Sequence, residues 1–549
     1  MYEQVLDPVA NSLGWSSLVA ALPLLVLFVL LGVLRVKAWI ASLVALGAAL
    51  LIAIAVYGMP VGQSLLAGTE GAAFGFFPIL WIVINAIWVY NMTVQTGHFD
   101  VLRRSFARVS DDQRIQAIII AFSFGALMEA LAGFGTPVAV TAVMLIALGF
   151  KPIKAAVLAL VANTAPVAFG AMATPIVTLG GVTDLSQDTL GAMVGRQTPI
   201  LAVFVPLALV FIVDGRRGLR QTWLPAVVCG VTFGLAQYAT SNFISVPLSD
   251  VVAALVSAAA IVALVRMWHP AETYTEGGAA PVAAGGAADE PTPEFAARVA
   301  NPDARSEVVK AYAPYAIIIG VFVLGQIGPI KDLLDKATQR FGWPGLHVAN
   351  TQGEELSSVT FNFNILTTPG TQMLIAGVLT MIALRVAVGP ALRAYWMTLV
   401  QLRWAILTVM TVLALAYVMN ASGQTATLGN WMAGAGGFFA FLSPILGWLG
   451  VAVTGSDTSS NSLFGALQVT AAEKADLSQV LMAASNSSGG VLGKMISPQN
   501  LAIAAAAVGQ HGKEGDIFRK VIAWSVVFLI GMCVLSALQA SAVLSWMVP

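Results

Sequence analysis

Three ionisable side chains, Glu129, Asp457 and Lys494, lie inside long apolar stretches of the sequence. A charge at the bilayer centre costs roughly 2.5 to 3.5 kcal/mol even on a lenient insertion scale, so such a residue is a functional candidate. Burial favours the neutral form of a carboxyl group, which suits it to proton transfer. We predict Glu129 and Asp457 as proton-coupling residues, with a structural pair to a lysine as the alternative for Glu129. Lys494 could pair with a substrate carboxylate or with Asp457.

Four breaks rich in glycine, asparagine and serine interrupt the apolar segments. The sequence GFGTP occupies residues 133–137 and TGSDTSSN occupies 454–461, and each is followed by a second break, NTAPVAFG at 163–170 and SNSSGGVLG at 485–493. Lipid offers no hydrogen-bond partners, so non-helical backbone at membrane depth is tolerated only where protein buries it or where it lines a hydrated cavity. Broken helices at matching positions of two halves indicate a transporter binding site.

Small polar residues at these breaks are candidates for binding an anion. Helix N-termini expose N–H groups with a partial positive charge, which can bind a carboxylate without a cationic side chain. The alternative is that these residues only satisfy freed backbone groups and allow close helix packing. The predicted substrate-binding residues are Gly133, Gly135, Thr136, Asn163, Thr164, Ser456, Asp457, Thr458, Ser459, Asn486, Ser487, Ser488 and Lys494.

The composition predicts the class of protein that carries these residues. The chain is 58% hydrophobic and 10% charged, and its repeated apolar runs of about twenty residues match the bilayer core. We therefore predict an all-α polytopic membrane protein in a lipid bilayer. The formal net charge is zero and no basic run is present, so we expect no nucleic-acid partner. Cys229 and Cys533 lie far apart in apolar segments and are interpreted as packing residues.

Sequence motifs of enzymes are missing from the chain. The four histidines lie in loops or at the ends of segments, and we find no phosphate-binding loop, zinc-protease pair or nucleophile elbow. We expect no catalytic residue, no metal and no cofactor, and we do not expect an ATP-driven pump or a membrane hydrolase. A membrane-embedded enzyme or sensor is kept as a remote alternative.

The loop charges and segment lengths predict the topology. Short loops rich in Lys and Arg prefer the cytoplasm, which places both termini outside. The arm that follows GFGTP is short for a span, so the region around it is predicted to be a re-entrant hairpin. We predict about 12 transmembrane helices plus two re-entrant hairpins, with two discontinuous helices at the midplane. The polar loop 331–371 is expected outside, with a small β-hairpin that includes the turn TTPG at 367–370.

Two membrane halves are predicted around a linker. Residues 269–309 are rich in Ala, Gly and Pro and are interpreted as a flexible cytoplasmic linker between residues 1–268 and 310–549. The order of parts in residues 73–220 recurs in residues 404–547 with opposite sidedness. This pattern predicts two inverted repeats, one in each half.

Six dispersed stretches carry a resemblance to a known family. They are DPVANSLGWSSLVAALP, FGALMEALAGFGTPVAV, NTAPVAFGAM, VGRQTP, GWLGVAVTGSDTSSNSLFGALQ and GGVLGKMISPQNLAIA. On these residues the chain resembles the bacterial L-lactate permease family over nearly its whole length. The linker 269–309 and much of the loop 331–371 are outside the resemblance.

The resemblance implies a transport function. It implies inward symport of L-lactate and related 2-hydroxy monocarboxylates, such as D-lactate and glycolate, with a proton across the bacterial cytoplasmic (inner) membrane. The family is grouped with a wider superfamily whose members have inverted repeats and re-entrant hairpins and often form homodimers that move substrate by an elevator motion. The homodimer and the elevator motion are expected here by analogy alone. A sodium-coupled carboxylate transporter of the same fold is the alternative, because carbonyls and hydroxyls at the breaks could coordinate Na⁺.

Overall fold

The computed structural model describes residues 1–107, 109–133, 135–275, 303–325, 327–356 and 359–549. Most of the predicted linker, from residue 276 to 302, lies outside the described residues, as does Phe134 of the first break.

Helices form most of the described structure. The α-helices are α1 Leu13–Ala20, α2 Leu22–Phe28, α3 Ala38–Ala55, α4 Val61–Phe74, α5 Trp81–Gln95, α6 His98–Ala107, α7 Gln113–Gln116, α8 Gly125–Leu131, α9 Thr136–Ala147, α10 Pro152–Ala162, α11 Gly170–Thr183, α12 Gln187–Val194, α13 Thr198–Phe243, α14 Ser249–Val265, α15 Arg305–Gly325, α16 Gly328–Asp335, α17 Pro369–Ala383, α18 Val388–Ser422, α19 Gln424–Met432, α20 Phe439–Thr454, α21 Asp457–Lys474, α22 Gln479–Gly493, α23 Pro498–Ala507 and α24 Glu514–Gln539. The π-helical segments are Val29–Val33, Gly75–Leu80 and Ala117–Phe124. The 3₁₀ segments are Val167–Phe169, Val246–Leu248, Ala433–Phe438, Lys494–Ile496 and Ser545–Met547.

The prediction of an all-α polytopic membrane protein is confirmed. Within the described residues, 10 helical stretches are long and apolar enough to cross a membrane, and the bent pair Pro152–Ala162 with Val167–Thr183 would be one more. The predicted number of about 12 crossings is not reached by this criterion. One reason is that α13 is a single helix over two predicted crossings, although its backbone is non-helical at Asp214, Gly215 and Thr222. Another is that α17 has only 15 residues.

The described residues also form two small sheets of two strands each. Strand β1, Tyr2–Glu3, pairs in parallel with β3, Val348–Ala349, and β2, Gln339–Gly342, pairs antiparallel with β4, Thr360–Phe363. The prediction of a hairpin with TTPG as its turn is wrong, because Thr368 is the N-cap of α17 and TTPG leads into a helix. The β1–β3 pair places the N-terminus and the 331–371 loop on the same side of the molecule.

The segment around GFGTP turns back on itself. The side-chain Nε2 of Gln113, at the start of α7, donates to the carbonyl of Leu148, just after α9, at 2.9 Å. The turn between the arms contains Gly133 and Gly135 with φ of +50° and +84°, and this left-handed backbone favours glycine. The two ends of the segment therefore meet, and its tip lies at the far end.

The break at residues 163–170 is confirmed. Helix α10 ends at Ala162, and the axis of the chain beyond the 3₁₀ turn is bent by 67°. Three consecutive residues that follow, Ala171, Met172 and Ala173, have φ of 44°, 57° and 59°. Side chains with a β-carbon rarely adopt this backbone, and such residues cluster at functional sites.

The prediction of a break at residues 485–493 is wrong in position. Helix α22 continues through Gly493, and the interruption follows at Lys494–Ile496, before Pro498 starts α23. The glycines of α22 serve close packing against α20: a β-carbon at Gly489 would overlap the backbone of Pro444, and one at Gly493 would overlap Trp448.

The break in TGSDTSSN is narrower than its eight residues suggest. Helix α20 ends at Thr454, Gly455 turns with φ of +76°, and α21 begins at Asp457 with Ser456 as its N-cap. Helix α21 packs against α11 and α22, which brings the second turn beside the first broken crossing.

Candidate functional site

A cavity of about 50 Å³ lies where the two turns meet the two broken crossings, and it is large enough for several water molecules. Its walls combine glycine backbone, small polar side chains, two carboxyl groups and one ammonium group. The lining residues are Glu129, Gly133, Val167, Gly170, Ala171, Thr174, Pro175, Gly455, Ser456, Asp457, Thr458, Lys494 and Gln499.

An ion pair joins the two halves of the chain at this cavity. Nζ of Lys494 lies 2.5 Å from Oε1 of Glu129. Only 6% of the surface of Lys494 and 3% of the surface of Glu129 are exposed. The second carboxyl oxygen, Oε2, accepts a hydrogen bond from Nδ2 of Asn163 at 2.9 Å. Glu129 therefore connects α8, the end of α10 and the interruption after α22. The lysine pair kept as the alternative for Glu129 is observed, whereas the predicted pair between Lys494 and Asp457 is not.

Glycine makes room for this pair. A β-carbon at Gly170 would lie 2.7 Å from Oε1 of Glu129, closer than real side-chain contacts allow. Gly170 is the last residue before the left-handed residues Ala171–Ala173, so the unusual backbone and the ion pair share one wall.

Asp457 is the second carboxyl group of the cavity, at the first residue of α21. Oγ of Ser487 donates to its Oδ2 at 2.6 Å. Its Oδ1 is buried and has no hydrogen-bond partner among the described residues. A β-carbon at Gly490 would overlap this oxygen, so a glycine is required there for Asp457 to keep its position.

A polar network behind Asp457 fixes α21 against α22. Asn461 donates to Oγ of Ser487 at 3.2 Å, and Asn486 donates to Oδ1 of Asn461 at 2.9 Å. Gln468 donates to Oδ1 of Asn486 at 3.1 Å. The network orients the Ser487 hydroxyl that holds Asp457, so these residues position the cavity wall rather than form it.

The structure brings together part of the predicted site. The predicted binding residues that line the cavity are Gly133, Ser456, Asp457, Thr458 and Lys494, together with the predicted coupling residue Glu129. Those that do not line it are Gly135, Thr136, Asn163, Thr164, Ser459, Asn486, Ser487 and Ser488. Two residues of the second group hold carboxyl groups of the cavity: Asn163 donates to Glu129, and Ser487 donates to Asp457.

Several cavity residues and buried carboxyls were not predicted. Thr174 and Pro175 follow the left-handed residues, and their Thr-Pro sequence repeats the one in GFGTP. Gln499 lies in the motif ISPQN, where the Ser-Pro start of α23 was a usable signal. Glu70 and Asp250 are also buried, and they were missed because they stand near the ends of apolar segments.

The cavity offers one cation, two carboxyls and backbone groups within a membrane-spanning helical body. This set can bind a small polar anion, and the fold and the site define a polytopic membrane protein with a central polar site between broken helices. Comparison with known proteins assigns the chain more closely. The model of the L-lactate permease family matches residues 16–543, and the chain belongs to this family.

Curated relatives cover the chain from end to end. The glycolate permease of Escherichia coli K12 is 40% identical over 96% of this chain and 96% of its own length. The L-lactate permease of Bacillus subtilis 168 is 40% identical over 100% of both chains. Among solved structures, MtrF of Neisseria gonorrhoeae matches 87% of this chain and 84% of its own at 13% identity, with a TM-score of 0.46, too distant to bear on function.

Proposed function

We propose that this protein is a secondary active transporter that takes up L-lactate and related 2-hydroxy monocarboxylates, including D-lactate and glycolate, together with a proton. The proposal places it in the bacterial cytoplasmic membrane with both termini outside. It is supported by the family, by the relatives' names as lactate and glycolate permeases, and above all by the buried Glu129–Lys494 pair at the cavity.

Charge balance at this pair gives a physical reason for coupling. A carboxylate that entered the cavity alone would add an uncompensated negative charge to a buried site, which is strongly unfavourable. A carboxylate that enters with a proton leaves the net charge of the site unchanged. Protonation of Glu129 ends its attraction for Lys494, and the freed ammonium then pairs with the substrate.

The order of events follows from the same contacts. In the substrate-free site, the Glu129 carboxyl group accepts hydrogen bonds from Lys494 and Asn163. Proton binding at Glu129 and carboxylate binding at Lys494 favour each other, because either event alone would leave an uncompensated charge in the buried site and the two together do not. Release on the cytoplasmic side restores the ion pair, which keeps the empty site neutral at this position during the return step.

We further propose that residues 73–220 and 404–547 are inverted repeats with a re-entrant hairpin in each. The meeting of Gln113 with Leu148 at the open end of the first segment supports the first hairpin. The shared cavity wall of Gly133 and Gly455 supports the placement of both tips at one site.

The function is tested by uptake of radiolabelled L-lactate into proteoliposomes that contain the purified protein. An inward proton gradient should drive accumulation, and an uncoupler should abolish it. Uptake that needs Na⁺ at constant pH would favour the sodium-coupled alternative instead. Chemical turnover of lactate without transport would support a membrane-embedded enzyme.

A further inference from the structure

We infer that Asp457 recognises the 2-hydroxyl group of the substrate and so selects 2-hydroxy acids over the corresponding acids without the hydroxyl. The inference rests on the proposed function and assigns a specificity-determining role to one carboxyl oxygen. It depends on geometry at three residues: Asp457, Gly490 and Lys494.

The first observation is the unequal use of the two Asp457 oxygens. Oδ2 accepts from Ser487, a residue that does not line the cavity, whereas Oδ1 has no partner among the described residues. Asp457 is only 3% exposed, and a buried acceptor without a partner is costly. A ligand hydroxyl in the cavity would supply the missing donor.

The second observation is the position of this oxygen relative to the cation. Oδ1 lies against the face of α22 at Gly490, and Lys494 is four residues further along the chain, one helical turn away. Asp457 and Lys494 both line the cavity. A 2-hydroxy acid carries its hydroxyl on the carbon next to the carboxylate, so one substrate in the cavity can contact both residues.

The third observation is that the Asp457 carboxyl is held from behind. Asn461 and Asn486 support the Ser487 hydroxyl, which fixes the direction of the carboxyl group. A fixed acceptor discriminates well, because an analogue that lacks the hydroxyl leaves the buried oxygen unpaired.

The test measures equilibrium binding of four acids to the purified full-length protein by isothermal titration calorimetry at one acidic pH. The probes are L-lactate against propionate and glycolate against acetate, two pairs that differ by the hydroxyl group alone. The wild-type protein should bind the hydroxy acid of each pair about tenfold or more tightly. In Asp457→Ala this preference should fall to near unity through loss of affinity for the hydroxy acids.

Gly490→Ala provides a second variant that retains the carboxyl group. Its added β-carbon displaces Oδ1, so the same loss of preference is expected. Gly531→Ala, in α24, is the matched control, because nothing lies within 4 Å of the position of its β-carbon, and it should keep the wild-type preference. Should Asp457→Ala not be recovered folded, the wild-type ratios and Gly490→Ala decide the question.

The inference is overturned if the wild-type protein shows no preference within the two pairs, or if Asp457→Ala or Gly490→Ala keeps the full preference. Binding of all four acids with equal affinity would leave the proposed transport function standing. Failure to bind any of them would instead contradict that function and the inference with it.

Discussion

The Glu129–Lys494 pair illustrates what can and cannot be predicted for single residues. Each was identifiable in the sequence, because a charge inside an apolar segment is conspicuous and costly. A pair with a lysine was the alternative for Glu129, but Lys494 could not be identified as that lysine, since 365 residues separate them and no local pattern encodes the approach of the two helices. The same holds for Asp457, whose carboxyl group is held by Ser487 from another helix.

Lys494→Met should destabilise the protein, because it leaves the buried Glu129 without its cation. Removing one partner of a buried ion pair typically costs about 3 to 5 kcal/mol. The double variant Glu129→Gln/Lys494→Met should recover most of the lost stability, since Gln can still accept from Asn163. Thermal denaturation of the purified proteins measures the stability of the single and of the double variant. A double variant that is no more stable than Lys494→Met would show that the pair does not act as a unit.

Individual helices were well predicted by hydropathy, but their breaks were predicted less well. Asn163 and Pro166 do follow the end of a helix, whereas Gly489, Gly490 and Gly493 lie within α22. A glycine that interrupts a helix and a glycine that lets two helices approach look the same in one sequence. Only the packing of α20 on α22 distinguishes them.

Gly489→Ala should disrupt this packing, because its β-carbon would overlap the carbonyl of Pro444 on α20. Overpacking of this kind costs about 1 to 3 kcal/mol. Gly531→Ala, with open space at its β-carbon, controls for the general effect of replacing glycine in a membrane helix. We expect a lower midpoint of thermal denaturation for Gly489→Ala alone. Equal midpoints for the two variants would contradict the packing role of Gly489.

At the scale of the whole molecule, composition was enough to predict a polytopic helical membrane protein. The convergence of four distant segments on one cavity was suggested by their matched order but depends on tertiary packing. The small sheets could not be predicted with their correct extent, because β1 and β3 are each two residues long and are separated by most of the chain. Their pairing places the N-terminus beside the 331–371 loop.

The proposed orientation predicts which loops a membrane-impermeant thiol reagent can reach. Cys229 and Cys533 are buried, so the background of labelling should be low. His347→Cys, exposed in the 331–371 loop, should be labelled in intact cells. Arg216→Cys, exposed at the break within α13, should be labelled only after the membrane is permeabilised. The reverse pattern would show that the termini face the cytoplasm.

The most direct test of coupling at the ion pair is the behaviour of Glu129→Gln in proteoliposomes. Two rates of labelled L-lactate transport are compared: accumulation driven by an inward proton gradient, and exchange against internal lactate with no gradient. Because glutamine mimics the protonated carboxyl and cannot release a proton, we predict that accumulation is lost while exchange is partly retained. Equal loss of both, at normal protein abundance, would contradict the role of Glu129 in coupling.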